Sequence, residues 1–257
     1  MSQATTLSAR GAAAIAAALT LGAPSLALAQ QQQQPQQRQS GAAPTLGLYN
    51  TSSGATRYST PDGAIRFTFD RSGGRVALVR FEGDPEVHVL RPQGAAGGGE
   101  IYRTEDGDVM LRVTPHGGIT VYTRRNQTGM PVSEDGRVAA LTPEAIAFAE
   151  MQERFRQLQA RSTRRIGQTV TFQVPARLSA PVAGLVVDAA ERAAEGLAAA
   201  PLTTVRRVII TVGPQPAAVL RGDTLNIQVA PQFGYAGRPS SIAIRNVVTG
   251  RVQGPEQ

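Results

Sequence analysis

The sequence contains no cysteine. That absence removes disulfide frameworks, thiolate nucleophiles, Cys-ligated zinc, iron–sulfur clusters and the acylated cysteine of a lipoprotein. Histidine is nearly as scarce, and His88 and His116 alone cannot make a three-histidine metal site. Lysine is missing as well, since all 26 basic residues are Arg. A Ser-x-x-Lys pair is therefore impossible, and no Gly-x-Ser-x-Gly elbow occurs either. Beyond the first 29 residues no run of about 18 uncharged apolar residues is found, the length that a membrane-spanning helix needs. Aromatic residues make up 5% of the chain and are not interleaved with the arginines, which argues against single-stranded nucleic acid as a partner. These absences favour a non-catalytic protein and point to no metal and no cofactor.

What is present is ordinary material for a globular core: 257 residues, 41% hydrophobic and 18% charged. The net charge of +7 and a pI near 10.8 suit an anionic partner. A second explanation competes, because Ala, Gly, Pro and Arg without Lys is also what GC-rich codons write. Arg binds phosphate and carboxylate bidentately under either explanation.

The N-terminus reads as an export signal. Arg10 ends a short polar segment, residues 11–21 are apolar and Ala-rich, and Ala27-Leu28-Ala29 is the small-x-small pattern of a signal-peptidase site. Cleavage is expected after Ala29, and the mature protein is expected in the periplasm or secreted. Residues 30–57 read as a Gln-rich disordered leader and an arm. Residues 58–136 show period-two alternation broken by Gly-centred turns, with strands expected at 65–69, 76–81, 87–90, 101–103, 109–114 and 119–123. The expectation is an antiparallel β-meander, a curved sheet or partial barrel. Residues 137–250 form a mixed helix–strand half that is either a separate domain or one with the meander, and 251–257 a flexible tail. Thr142 and Pro143 predict a helix over 143–165. A second helix is expected over 181–200 with Asp188 and Arg192 as an i, i+4 pair. A strand at 205–212, a hairpin turning at Gly222-Asp223 and a last strand at 242–248 complete an α+β fold.

Two strings stand out together: residues 70–74 (DRSGG) running into 79–87 (VRFEGDPEV) and 90–92 (LRP), and residues 233–241 (FGYAGRPSS). Over roughly residues 58–245 the chain resembles an uncharacterised family of exported alphaproteobacterial proteins catalogued as a domain of unknown function. The resemblance implies export and a single folded body, and supplies no activity or site residue.

The candidate contact residues are therefore read from the chain itself. Arg80 shares a strand face with Val76 and Leu78. An Arg there wants a carboxylate such as Asp70 or Glu82, and otherwise becomes an anion-binding group in a cleft. Arg154, Arg156, Arg161, Arg164 and Arg165 give the first helix a basic side, with Glu150 and Glu153 available to pair. Tyr235 and Arg238 lie in a Gly- and Pro-bounded loop suited to a rigid contact surface. The resulting binding set is Arg80, Tyr235, Arg238, Arg161, Arg164 and Arg165, and the partner an anionic envelope polymer or an envelope protein. Two other readings stand beside it. One is a hydrolase of envelope polysaccharide using two of Glu82, Asp84, Glu86 and Glu100 across a cleft. The other is an inhibitor or accessory partner of another secreted protein.

Overall fold

The alternation that marks the meander closes on itself. In the computed structural model, which describes residues 54–175, 177–201 and 203–251, eight antiparallel strands run in sequence. They are β1 (Ala55–Ser59), β2 (Arg66–Asp70), β3 (Ala77–Phe81), β4 (Val87–Gly94), β5 (Glu100–Arg103), β6 (Val109–Val113), β7 (Ile119–Thr123) and β8 (Asn126–Val138). β8 returns to pair with β1, making a closed barrel. The expected signal segment, the Gln-rich run and residues 252–257 lie outside the described residues. The described residues fall within one compact unit, 48–257.

An eight-stranded barrel is just wide enough for side chains to fill. Here Phe67, Phe69, Val79, Leu90, Tyr102, Leu111 and Val121, none more than 3% exposed, form one cluster. Phe69 meets Tyr102 edge to face at 5.0 Å, and Tyr58 stacks on Phe67 at 5.6 Å. Two of the turns repeat one design, Thr60-Pro61-Asp62-Gly63 and Thr104-Glu105-Asp106-Gly107. In each, the Thr hydroxyl donates to the Asp carboxylate at 2.6 Å. The Gly sits at φ +66° or +86°, a conformation open to Gly at little steric cost.

The partial barrel expected from the sequence is thus complete, closed by two strands beyond the six expected. β1 falls where the sequence suggested an arm. β8 carries Gly129, Pro131 and Gly136, which interrupt the alternation that marks a strand.

The second half contains α1 (Phe148–Ile166), β9 (Thr171–Gln173), α2 (Ala180–Ala199), β10 (Arg207–Val212), β11 (Ala217–Arg221), β12 (Thr224–Val229), a 3₁₀ segment (Pro231–Gly237) and α3 (Ser241–Val248). The sheet order is β11-β12-β10-β9, with β10 parallel to both of its neighbours and β11–β12 the expected hairpin. α2 is buried on almost every side. Its Leu185, Val186, Ala189, Ala193 and Leu197 share a core with Val208, Ile210, Leu225, Ile227 and Ile244.

Two expectations are corrected. Residues 242–248 form helix α3, not a strand: Ser240 caps it by accepting the Ala243 N–H at 3.0 Å, and Ile244 packs in the α2 core, which outweighs β-branched propensity. α1 begins at Phe148, five residues after Pro143. The intervening chain is kept out of the helix by tertiary bonds, with Leu141 N–H donating to Asp70 at 2.7 Å and Ile146 N–H to the Ala180 carbonyl at 3.1 Å. It passes so close to α2 that a Cβ on Gly184 would lie 1.7 Å from the Glu144 carbonyl oxygen.

Candidate functional site

A buried ionic network joins the barrel to α2. The turn between β3 and β4 delivers Glu86, 5% exposed, and α2 delivers Asp188 and the fully buried Arg192. The segment before α3 adds Arg238, 3% exposed. Arg238 Nε donates to Asp188, and its Nη2 donates to the Val87 carbonyl at 3.0 Å. Glu86 Oε1 lies 3.9 Å from Arg238 Nη1, and its Oε2 lies 3.8 Å from Arg192 Nη1. Glu86 also accepts the Ser241 N–H at 3.1 Å and the Ser241 hydroxyl at 2.5 Å. Buried charges are ordinarily paired and hydrogen-bonded in this way.

Arg192 is less well served. Four carboxylates surround it, Glu195 at 3.1 Å, Glu191 at 3.6 Å, Glu86 at 3.8 Å and Asp188 at 3.9 Å. Yet its Nε, Nη1 and Nη2 all lack an acceptor in hydrogen-bonding geometry. Partial burial pushes the Glu191 and Glu195 carboxyls up, and the Arg192 charge opposes that shift. Next to this network the His88 imidazole lies 3.2 Å from Asp84, and that hydrogen bond holds the Asp84 carboxyl below the usual range.

On the barrel wall, strand register sets Arg57, Thr68 and Arg80 side by side across β1, β2 and β3. They line an open cleft of about 470 Å³ together with Arg66, Glu82 and Asp135. Arg66 pairs with Glu82 at 3.8 Å, whereas Arg57 and Arg80 have no ion-pair partner among the described residues. The carboxylate that an ion-paired Arg80 requires is engaged elsewhere: Asp70 is buried and bonded to the Ser72 and Leu141 N–H groups. Arg80 is exposed.

The remaining expected contact residues divide. Tyr235 lies under the Arg238 guanidinium at 5.7 Å. Burial and then Asp188 push its phenol up, while Arg238 and Arg80 oppose them. Arg238 itself is interior, so it positions Tyr235 and the α3 entry and is not part of an exposed surface. On α1, Arg154 pairs with Glu150 at 2.6 Å and Glu144 at 2.9 Å, and Arg156 pairs with Glu153. Arg161, Arg164 and Arg165 are exposed and have no ion-pair partner among the described residues.

The four carboxylates considered for hydrolysis are dispersed in their commitments. Glu82 faces Arg66, and Glu100 accepts the Tyr102 hydroxyl at 2.6 Å, a phenol that burial and this carboxylate push up to about 12. Asp84 and Glu86 line one cleft, but Asp84 is held by His88 and Glu86 by Ser241 and two guanidiniums. Each of the four thus has a partner of its own.

Sequence reasoning found Asp188–Arg192 as an i, i+4 pair but not its partners Glu86 and Arg238, and it missed Arg57 and Ser241. The available signal was the spacing of Asp188, Glu191, Arg192 and Glu195 at i, i+3, i+4 and i+7, a single charged stripe on an otherwise apolar helix.

No curated protein and no solved structure matches the chain. A family model described as a domain of unknown function, DUF4908, matches residues 49–248. The chain, a closed eight-stranded barrel fastened to an α/β layer by a buried arginine–carboxylate network, therefore belongs to the DUF4908 family.

Proposed function

We propose that this is an exported, periplasmic, non-catalytic protein that binds an anionic component of the cell envelope. The observation that carries the reading is the Arg57–Thr68–Arg80 row, where two exposed guanidiniums stand over one cleft without carboxylate partners. Such groups gain most from an incoming phosphate or carboxylate, since both offer bidentate acceptors. Tyr235, whose phenol feels the Arg80 charge, and Arg161, Arg164 and Arg165 at the end of α1 supply further contacts. The Ala27-Leu28-Ala29 pattern supports export.

Co-sedimentation of the mature protein with purified sacculi and with outer-membrane vesicles tests the reading. The wild type is expected to sediment with one of them at low salt, and an Arg57→Ser/Arg80→Ser double variant is expected to sediment with it more weakly. Equal sedimentation of the two proteins would overturn it.

A further inference from the structure

Away from the barrel-wall cleft, polar residues of α1 and α2 line a pocket of about 260 Å³. A single water occupies about 30 Å³ of liquid, so this space takes a group of several atoms. We propose that it is a binding site for a small oxyanion, a carboxylate or a singly charged phosphate group, with Arg192 and Ser162 as its buried donors and Arg161 and Arg165 at its mouth.

Two independent side chains point to a ligand. Arg192 is 0% exposed, and none of its three guanidinium nitrogens meets an acceptor in hydrogen-bonding geometry. Ser162, on α1, is 4% exposed and its hydroxyl also has no partner. A mid-helix Ser ordinarily bonds back to its own helix, and buried polar groups are ordinarily satisfied. Two such groups lining one pocket match the donor set of an oxyanion, in which a planar guanidinium and a hydroxyl share the acceptor atoms.

Arg161 and Arg165 are exposed and unpaired among the described residues, and they line the same pocket. The charge lining it limits the guest. Glu191 and Glu195 also line the pocket, and Glu86 and Asp188 lie 3.8 and 3.9 Å from Arg192 without lining it, so the three lining guanidiniums leave at most one positive charge to be matched. A monoanion satisfies that balance, whereas a dianion would be repelled by the two glutamates. The site does not depend on the barrel-wall arginines; it shares Arg161 and Arg165 with the envelope-binding reading and goes beyond it by giving them, with Arg192 and Ser162, a small anion to hold.

The test is calorimetric titration of the mature protein with acetate and, in mildly acidic buffer where phosphate carries one charge, with inorganic phosphate. Arginine Nε–H resonances are followed in parallel by NMR. One saturable site is expected, with a single buried Nε–H signal shifting as it fills. Affinity should fall about tenfold or more in Ser162→Ala and in Arg165→Gln, two changes that leave Arg192 in place. The better-bound probe identifies the class, phosphate group or carboxylate. The Arg57→Ser/Arg80→Ser variant should bind both probes as the wild type does. Absence of saturation with either probe at tens of millimolar, or undiminished affinity in both pocket variants, would overturn the proposal.

Discussion

Replacing Glu86 by Ala removes the one carboxylate that the barrel contributes to the buried network. Arg192 and Arg238, both with fully buried side chains, are each deprived of a countercharge, at 3.8 and 3.9 Å. Ser241 at the start of α3 is deprived of both of its acceptors on Glu86. Breaking a buried pair from one side costs about 3–5 kcal/mol, because the remaining charge stays desolvated. For a domain of this size each kcal/mol lowers Tm by roughly 2–4 °C, so a fall of about 6–20 °C is expected. Glu86→Gln preserves shape and one acceptor oxygen and should cost less, on the order of 1–3 kcal/mol. Glu82→Ala is the control. Its partner Arg66 lies at 3.8 Å with both side chains more than half exposed, and such a pair contributes at most about 1 kcal/mol. Urea and thermal unfolding followed by circular dichroism give all three values. If Glu86→Ala unfolds no more easily than Glu82→Ala, the network does not hold the seam and the reasoning fails.

Gly184→Ala should destabilise strongly, by about 1–3 kcal/mol or more, because its Cβ would lie 1.7 Å from a backbone oxygen that cannot simply rotate away; a wild-type urea midpoint would contradict this. Ser240→Ala removes the α3 N-cap and should cost about 1 kcal/mol, read from the same unfolding curves. Stability should fall as pH rises above about 4.3, the ordinary Glu value. Glu191 and Glu195 bind protons more tightly folded than unfolded, so their contribution is fully present at low pH and is lost through their raised folded pKa values. Asp84 acts in the opposite sense: its stabilisation is present above the unfolded Asp value and is lost as pH falls through its lowered folded pKa. Urea midpoints across the acid range should accordingly show Glu195→Gln flattening the upper slope and Asp84→Asn the lower one.

The parts of the fold written in local pattern were legible. Period-two alternation located β2 through β7, and the Gly222-Asp223 turn located the β11–β12 hairpin. What escaped is set by distant contacts. β8 is a strand because β1 and β7 flank it, despite Gly129, Pro131 and Gly136. The Thr142-Pro143 helix signal is overridden by bonds to Asp70 and Ala180, residues remote in sequence. The same applies to the site. Arg80 could be singled out from one strand, but its neighbour Arg57 becomes visible only once β1 is known to pair with β2. Asp188 and Arg192 are spaced as partners on any helix, yet their meeting with Glu86 and Arg238 depends on how the barrel turn and the α3 entry pack.

The most direct test of the central claim is the salt dependence of binding to the envelope fraction that the protein sediments with. Exposed guanidiniums that engage an anionic polymer displace counterions, so log K should fall linearly with log salt. Removing Arg57 and Arg80 together should make that slope shallower by about two, roughly one for each guanidinium removed. Binding that is insensitive to salt, or an unchanged slope in the double variant, would contradict the account.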